Sequence, residues 1–228
     1  MSEREKILAR IREALGAPAP LPGHHGEVVE GFAGPDRDAF SQWLPAVGSG
    51  KKAKLGAFAT ASEALKTDFR HVEDAKAALK ELRLVAAEEG WQKVASHHTP
   101  VTDAACKKLG LPTLWTDAGY DVNEMESCDA GITVCDALVA QTGTVVLTSR
   151  SGGGRALSVL PPHHLVLANT KQMVRDLPAA FALLKKTYGE NFPSMMTLIT
   201  GPSRTGDIER ILVLGAHGPK KLTVLCHD

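Results

Sequence analysis

The chain has 228 residues, 43% of them hydrophobic, enough for one substantial core with a small appendage. Its 26 basic residues balance 26 acidic ones, so overall charge drives neither nucleic-acid binding nor attraction to a strongly charged partner. No apolar run approaches the roughly 18 to 20 residues that cross a bilayer, and no signal-peptide core follows Ser2-Glu3-Arg4-Glu5-Lys6, so no membrane span and a cytoplasmic location are expected.

Residues 1–15 read as an amphipathic helix, with Ser2 and Glu5 in capping-box spacing and Ile7, Leu8, Ile11 and Leu15 on one stripe. That stripe needs a surface, either its own domain, a partner or a second copy. Residues 16–36, rich in Pro and Gly, read as a linker, and 37–228 as the main domain. Within it, Phe40–Leu44 and Ser62–Phe69 suggest short helices around a strand at Leu55–Ala59. Val72–Glu89 carries a stronger helical stripe ending at Gly90. Strands are expected at Trp91–Ala95, Thr113–Trp115 and Ile132–Cys135, with a helix near Asp103–Leu109. A helix at Gln172–Lys186 lies between apparent strands at Leu165–Ala168 and Met195–Thr200, the crossover arrangement of a parallel sheet. Alternation of the two element types predicts an α/β fold: a mostly parallel open sheet flanked by helices, with an N-terminal helical appendage.

Two polar turns carry the candidate chemistry. After Met195–Thr200, the run Gly201-Pro202-Ser203-Arg204-Thr205-Gly206-Asp207 precedes Ile208, Ile211, Leu212 and Leu214 at near-helical spacing. A strand-loop-helix join would leave free N–H groups there, so Ser203, Arg204 and Thr205 are candidates to hold a phosphate or carboxylate. Equally, Ser203 or Thr205 caps the helix, with Asp207 and Glu209 as favourable first-turn acids. Gly215 is read as the helix stop. His217, in the next glycine-flanked turn, is either a proton donor beside the anion or a solvated turn residue. The second turn region is Gln141-Thr142-Gly143-Thr144, followed after Leu147 by Ser149-Arg150-Ser151-Gly152-Gly153-Gly154-Arg155. Three glycines permit close backbone approach, and Arg155 can pair with an anion, so Thr142, Gly143, Thr144 and Arg155 join the candidate anion site. Spacing matches neither a Walker nor a Rossmann motif. The two turns are expected to meet at one rim, at the C-terminal strand ends where open α/β sheets collect ligands.

Cys106, Cys128, Cys135 and Cys226 form no C-x-x-C pair, so neither a disulfide scaffold nor a resident iron–sulfur cluster is expected; Cys135 reads as a packing residue. The adjacent pairs His24-His25, His97-His98 and His163-His164 lack metal-site spacing, and no metal is expected. His163 and His164 mark a strand entrance, with one of them available to the pocket.

The strings Ile199–Pro219, Gln141–Leu147 and Arg155–Pro161 resemble the lactate utilization protein C family, the LUD domain. The resemblance is strong from Asp129 to Cys226 and looser over the N-terminal helix and the Phe40 region. It implies a fold similar to the sugar-phosphate isomerase and CoA-transferase group, and work beside iron–sulfur partner proteins that oxidise L-lactate to pyruvate. Gln141 stands where the family often has an acid, and Gly206 where it often has alanine. Glutamine cannot act as a carboxylate nucleophile, which weakens any acyl-transfer mechanism.

The leading expectation is an accessory or ligand-binding subunit of that cytoplasmic system, binding a small organic anion, possessing no cofactor of its own and able to form a homo-oligomer. The alternatives are an enzyme acting on a phosphorylated or acyl-CoA-like metabolite, with Arg155 or Arg204 binding and His217 or Asp207 moving a proton, and a structural scaffold.

Overall fold

The computed structural model describes residues 3–16, 43–205, 213–215 and 217–228. Residues 1–44 and 45–228 form separate compact units. In the first, α1 (Glu3–Gly16) is helical as the stripe predicts, and Ile7, Leu8 and Ile11 are exposed. The predicted linker, most of Phe40–Leu44 and the His24-His25 pair lie outside the described residues.

The second unit is built on a six-stranded parallel sheet in the order β1 (Asp68–Val72), β12 (Lys221–His227), β7 (His163–Asn169), β4 (Ala130–Val134), β2 (Val94–Ser96), β3 (Thr113–Trp115). The sheet is buried on both faces, so its central strands are apolar runs whose side chains alternate between two cores. Leu165, Leu167, Ile132 and Leu225 pack on Leu82, Val85 and Ala105 from α3 (Ala75–Glu89) and α4 (Pro100–Leu109). Val166, Ala168, Val224 and Cys226 face the opposite way. They meet Phe58 of α2 (Lys51–Leu65) and Leu138, Val145 and Leu147 of a second sheet. That sheet has the order β8 (Met173–Val174), β5 (Ala137–Val139), β6 (Thr144–Thr148), β9 (Met196–Ile199). Its outer face, Ala137, Val139 and Val146, is covered by Ala180 and Leu184 of α6 (Leu177–Tyr188). The short α5 (Val122–Glu126) closes a satellite core of Ala95, Met125, Cys128 and Leu157.

Local signals start and stop these helices. Asp74 accepts from the Ala77 amide to cap α3, and Gly90 ends it at φ 68°. Thr99 and Thr102 form a capping box on α4, with Pro100 as the first helical residue. Asp176 caps α6.

Several elements depart from the sequence reading. The expected helix Ser62–Phe69 stops with α2 at Leu65, and its last residues begin β1. Leu55–Ala59 is the middle of α2, not a strand: only Phe58 and Ser62 are buried, too few to stamp a 3.6-residue period on an alanine-rich segment. The predicted start of α6 at Gln172 is a 3-10 turn (Thr170–Gln172) and then β8, with the helix beginning only behind the Asp176 cap. Met196–Ile199 does not extend the parallel sheet; it pairs antiparallel with β6 in the second sheet. An apolar strand run does not say which of two stacked sheets it joins.

Candidate functional site

A cleft of about 330 Å³ opens where β9 ends, between the two sheets and at the N-terminal ends of β7 and β12. Its floor is His164 and Leu222, paired across neighbouring strands. Its rim is Thr200 to Arg204 on one side, His217 to Pro219 on another, and Ser158 with Val159 opposite. Among the described residues lining it are a guanidinium, two imidazoles and several hydroxyls, but no carboxylate.

The rim is tied together by Ser203. Its amide donates to the Pro219 carbonyl (2.9 Å), its carbonyl accepts from Gly215 (3.0 Å), and its hydroxyl accepts from the His217 amide (3.3 Å). Arg204 and Thr205 form β10, antiparallel to β11 (Val213–Leu214). Val213 and Leu214 are therefore in a strand, which corrects the end of the expected helix; Asp207 and the rest of that segment lie outside the described residues. The Ser203 amide, spent on Pro219, is not the free helix-start donor that the strand-loop-helix reading required. What the turn offers instead is the exposed Arg204 guanidinium and the exposed His217 side chain, brought to one edge by backbone pairing. Gly201 adopts φ 86° with Leu65 against it, a Cβ there falling 3.1 Å from the Leu65 carbonyl oxygen, so this corner of the cleft needs glycine.

Thr142, Gly143 and Thr144 stand behind the rim. Thr142 and Thr144 hydroxyls are 2.7 Å apart, and Thr144 is 2.8 Å from the Thr200 hydroxyl, so a three-hydroxyl chain reaches the cleft through Thr200. Gly143, at φ 63°, turns the β5–β6 hairpin against Ala61. Gln141 spends its amide on the Pro45 carbonyl (2.9 Å).

The two polar turns do not meet as expected. Gly153 lies flat on the His97 ring, where a Cβ would fall 2.4 Å from Cγ, beyond the C-terminal end of β2. The Ser203 turn sits at the opposite, N-terminal end of the parallel strands. The close approach that three glycines permit is thus made to a buried imidazole of the chain itself. Arg155 is exposed and does not line the cleft; the segment it begins reaches the rim three residues later, at Ser158.

The floor is the part that motif reading leaves least specified. His164 is 1% exposed, its Nε2 lies 2.9 Å from the Thr133 hydroxyl, and its Nδ1 has no partner. Burial, then the neighbouring His163, pushes its pKa down to about 3, so it is neutral at physiological pH. The adjacent pair at a strand entrance was the signal, since alternation sends one of the two toward each face. His163 goes to the other core, edge-on to Trp91 with its ring centroid 5.1 Å away.

Residues 55–226, from α2 to the last strand, match the LUD domain family. This chain belongs to that family. The LUD domain here is 35% identical to lactate utilization protein C of Shouchella clausii, aligned over 51% of this chain and 52% of that protein. It is 40% identical to the protein of the same name from Halalkalibacterium halodurans, over 43% and 44%. The chain thus spans about half the length of these curated relatives. An uncharacterized protein of Neisseria meningitidis serogroup B aligns over 99% of this chain and 93% of its own length at 29% identity. The fold matches a solved DUF162 family protein from Deinococcus radiodurans with a TM-score of 0.61 at 23% identity, covering 79% of this chain and 100% of that one.

At the other end of the LUD domain sheet, where ligands were expected, a second cleft of about 330 Å³ is walled by Ala75, Leu79, Val101, Val134 and Leu167. Its polar lining is largely committed: Gln172 donates to the Cys135 carbonyl and accepts from the Asn169 amide. All four cysteines are buried and free. Burial raises the Cys135 thiol pKa well above its usual range and the Cys226 thiol to about 12, so both are packing residues rather than nucleophiles. Among the described residues, no three His, Cys, Asp or Glu side chains gather as metal ligands, and no helix is long and apolar enough to cross a membrane.

Proposed function

We propose that this LUD domain is an organic-anion-binding accessory subunit of a lactate-utilization system, working in the cytoplasm beside iron–sulfur partner proteins that oxidise L-lactate to pyruvate. The observation that carries the reading is the cleft with Arg204 and His217 at its mouth and no described carboxylate in its lining. A carboxylate entering it gains a charge-assisted hydrogen bond from the guanidinium at the rim, with the hydroxyls of Ser203 and Thr200 beside it. Thr142, Thr144 and Thr205 support that rim, and Arg155 lies outside the described lining. The lactate assignment is supported by the names of the relatives. The test is a lactate-oxidation assay on the coexpressed partners with and without this chain, alongside calorimetric titration of the chain with lactate and pyruvate. Lactate oxidation by the purified chain alone would refute the accessory role.

The exposed apolar stripe of α1, Ile7, Leu8 and Ile11, favours a second reading in which the chain recruits partners as a scaffold. Deleting residues 3–16 would then abolish assembly while Arg204→Ala leaves it intact. A CoA-transferase-like enzyme acting on a phosphorylated or acyl-CoA-like metabolite, with His217 moving the proton, requires turnover by the isolated chain.

A further inference from the structure

The outer face of α3 carries a row of cations that this chain leaves without counter-charges. Lys76, Lys80 and Arg83 follow one another at helical spacing, and Lys108 of α4 lines the same groove of about 620 Å³. All four are exposed, and among the described residues none of their side chains has an ion-pair or hydrogen-bond partner. The acids of α3 are committed elsewhere: Glu81 and Glu88 hold Arg70 of β1, at 2.8 and 3.0 Å, and Glu89 holds Lys221 of β12. Asp74, the one carboxylate in the groove lining, caps the helix. Like charges three and four residues apart destabilise a helix, so folding gives no reason for this row.

Between the cations the groove is apolar. Ala77, Leu84 and Ala87 lie along it, and Leu84 is 45% exposed. Past Arg83 and Ala87 it runs on into a hollow of about 200 Å³ closed by Trp91 and Leu111. The 15 residues of α3 extend about 22 Å, at about 1.5 Å per residue. An apolar strip of that length with charge along its margins matches the seat used in helix-in-groove recognition.

We infer that this face docks an acidic amphipathic helix of a partner protein, whose carboxylates meet Lys76, Lys80, Arg83 and Lys108 while its apolar stripe covers Leu84. The face lies on the side of the large sheet away from the second sheet, so the inference stands apart from the organic-anion cleft. The chain's own α1 does not fit it. There Arg4, Lys6, Arg10 and Arg12 outweigh Glu3, Glu5 and Glu13, and a second copy would bring cations to cations. A nucleic acid would neutralise the row but leave Leu84 uncovered, and the balanced overall charge supplies no long-range field to draw one in.

Fluorescence anisotropy of the full chain with three labelled probes tests this: a helical peptide of the length of α3 with leucine on one stripe and glutamate on its flanks, a scrambled peptide of the same composition, and a short DNA duplex. The amphipathic peptide is expected to bind about tenfold more tightly than either of the others. Lys80→Glu combined with Arg83→Glu is expected to weaken it by about tenfold or more, and Leu84→Ser, which keeps every charge, severalfold. Lys185→Glu combined with Lys186→Glu makes the same charge change on the exposed face of α6 and is expected to leave binding intact. All these positions are exposed, and an unchanged Tm confirms that each variant is folded. Equal binding of the two peptides, tighter binding of the duplex, no binding of the amphipathic peptide, or an equal loss in the α6 variant overturns the inference. None of these outcomes touches the cleft, which is judged by the organic-acid titrations.

Discussion

Gly131 is the position where one methyl group should cost most and reveal most. It lies in β4, paired with His164 of β7, and the 156–160 turn crosses directly over it. A Cβ built on Gly131 falls 2.1 Å from the Leu157 carbonyl oxygen and 2.9 Å from its carbonyl carbon. Both atoms are backbone, so no side-chain rotation relieves the overlap, and the turn must retreat by about 1 Å to reach tolerable contact. Overpacking of this kind costs about 1–3 kcal/mol, and a purely backbone clash in a central strand belongs at the upper end. For a domain of this size about 3 kcal/mol lowers the Tm by roughly 6–12 °C. Because Ser158 and Val159 ride on the same turn and line the cleft, Gly131→Ala should also weaken organic-acid binding. Gly110→Ala is the control: φ is 70° but nothing lies within 4 Å of its Cβ, so it should cost about 1 kcal/mol of backbone strain and leave binding alone. Differential scanning calorimetry and ligand titration of both variants decide the matter. A Gly131→Ala protein with unchanged Tm and unchanged affinity would refute the packing argument for the turn.

Acid should destabilise the domain through its buried imidazoles. His163 and His164 have folded pKa values pushed down to about 4 and 3, below the ordinary 6.5, chiefly by burial. The unfolded chain therefore binds more protons below pH 6.5, and stability present above that pH is lost as pH falls toward 4, by about 1.4 kcal/mol per pH unit for each ring. Urea midpoints between pH 7 and 4.5 should fall accordingly, and less steeply in His164→Phe. Tyr188→Phe removes a hydroxyl that donates to Asp136, a carboxylate that Ser151 also satisfies, and should cost about 1–2 kcal/mol in urea unfolding without altering anion binding. Thr99→Ala breaks the capping box on α4 and should cost about 1 kcal/mol by the same assay, whereas Thr99→Ser should cost little.

The chain's own residues determine its α/β character and most of its strands: Thr113–Trp115 is a strand at the predicted bounds, and caps such as Asp74 and Gly90 close α3 where the pattern turns over. These are local facts, set by side-chain period and by backbone groups that need partners within a few residues. The polar turns after Met195–Thr200 likewise marked Ser203, Arg204 and His217, which the fold brings to one cleft. Tertiary structure alone decided the rest. Whether Met196–Ile199 joins the large sheet or the small one depends on long-range pairing that no apolar run encodes by itself. Gly152–Gly154 reads equally well as a ligand loop or as a loop pressed on a buried ring, because glycine permits close approach without naming what approaches. The hydroxyl that His164 Nε2 bonds belongs to Thr133, thirty-one residues away in sequence and one strand away in space. A hydrogen bond of that kind exists only once two distant strands are in register, which is why the floor of the cleft had to be read from the folded chain.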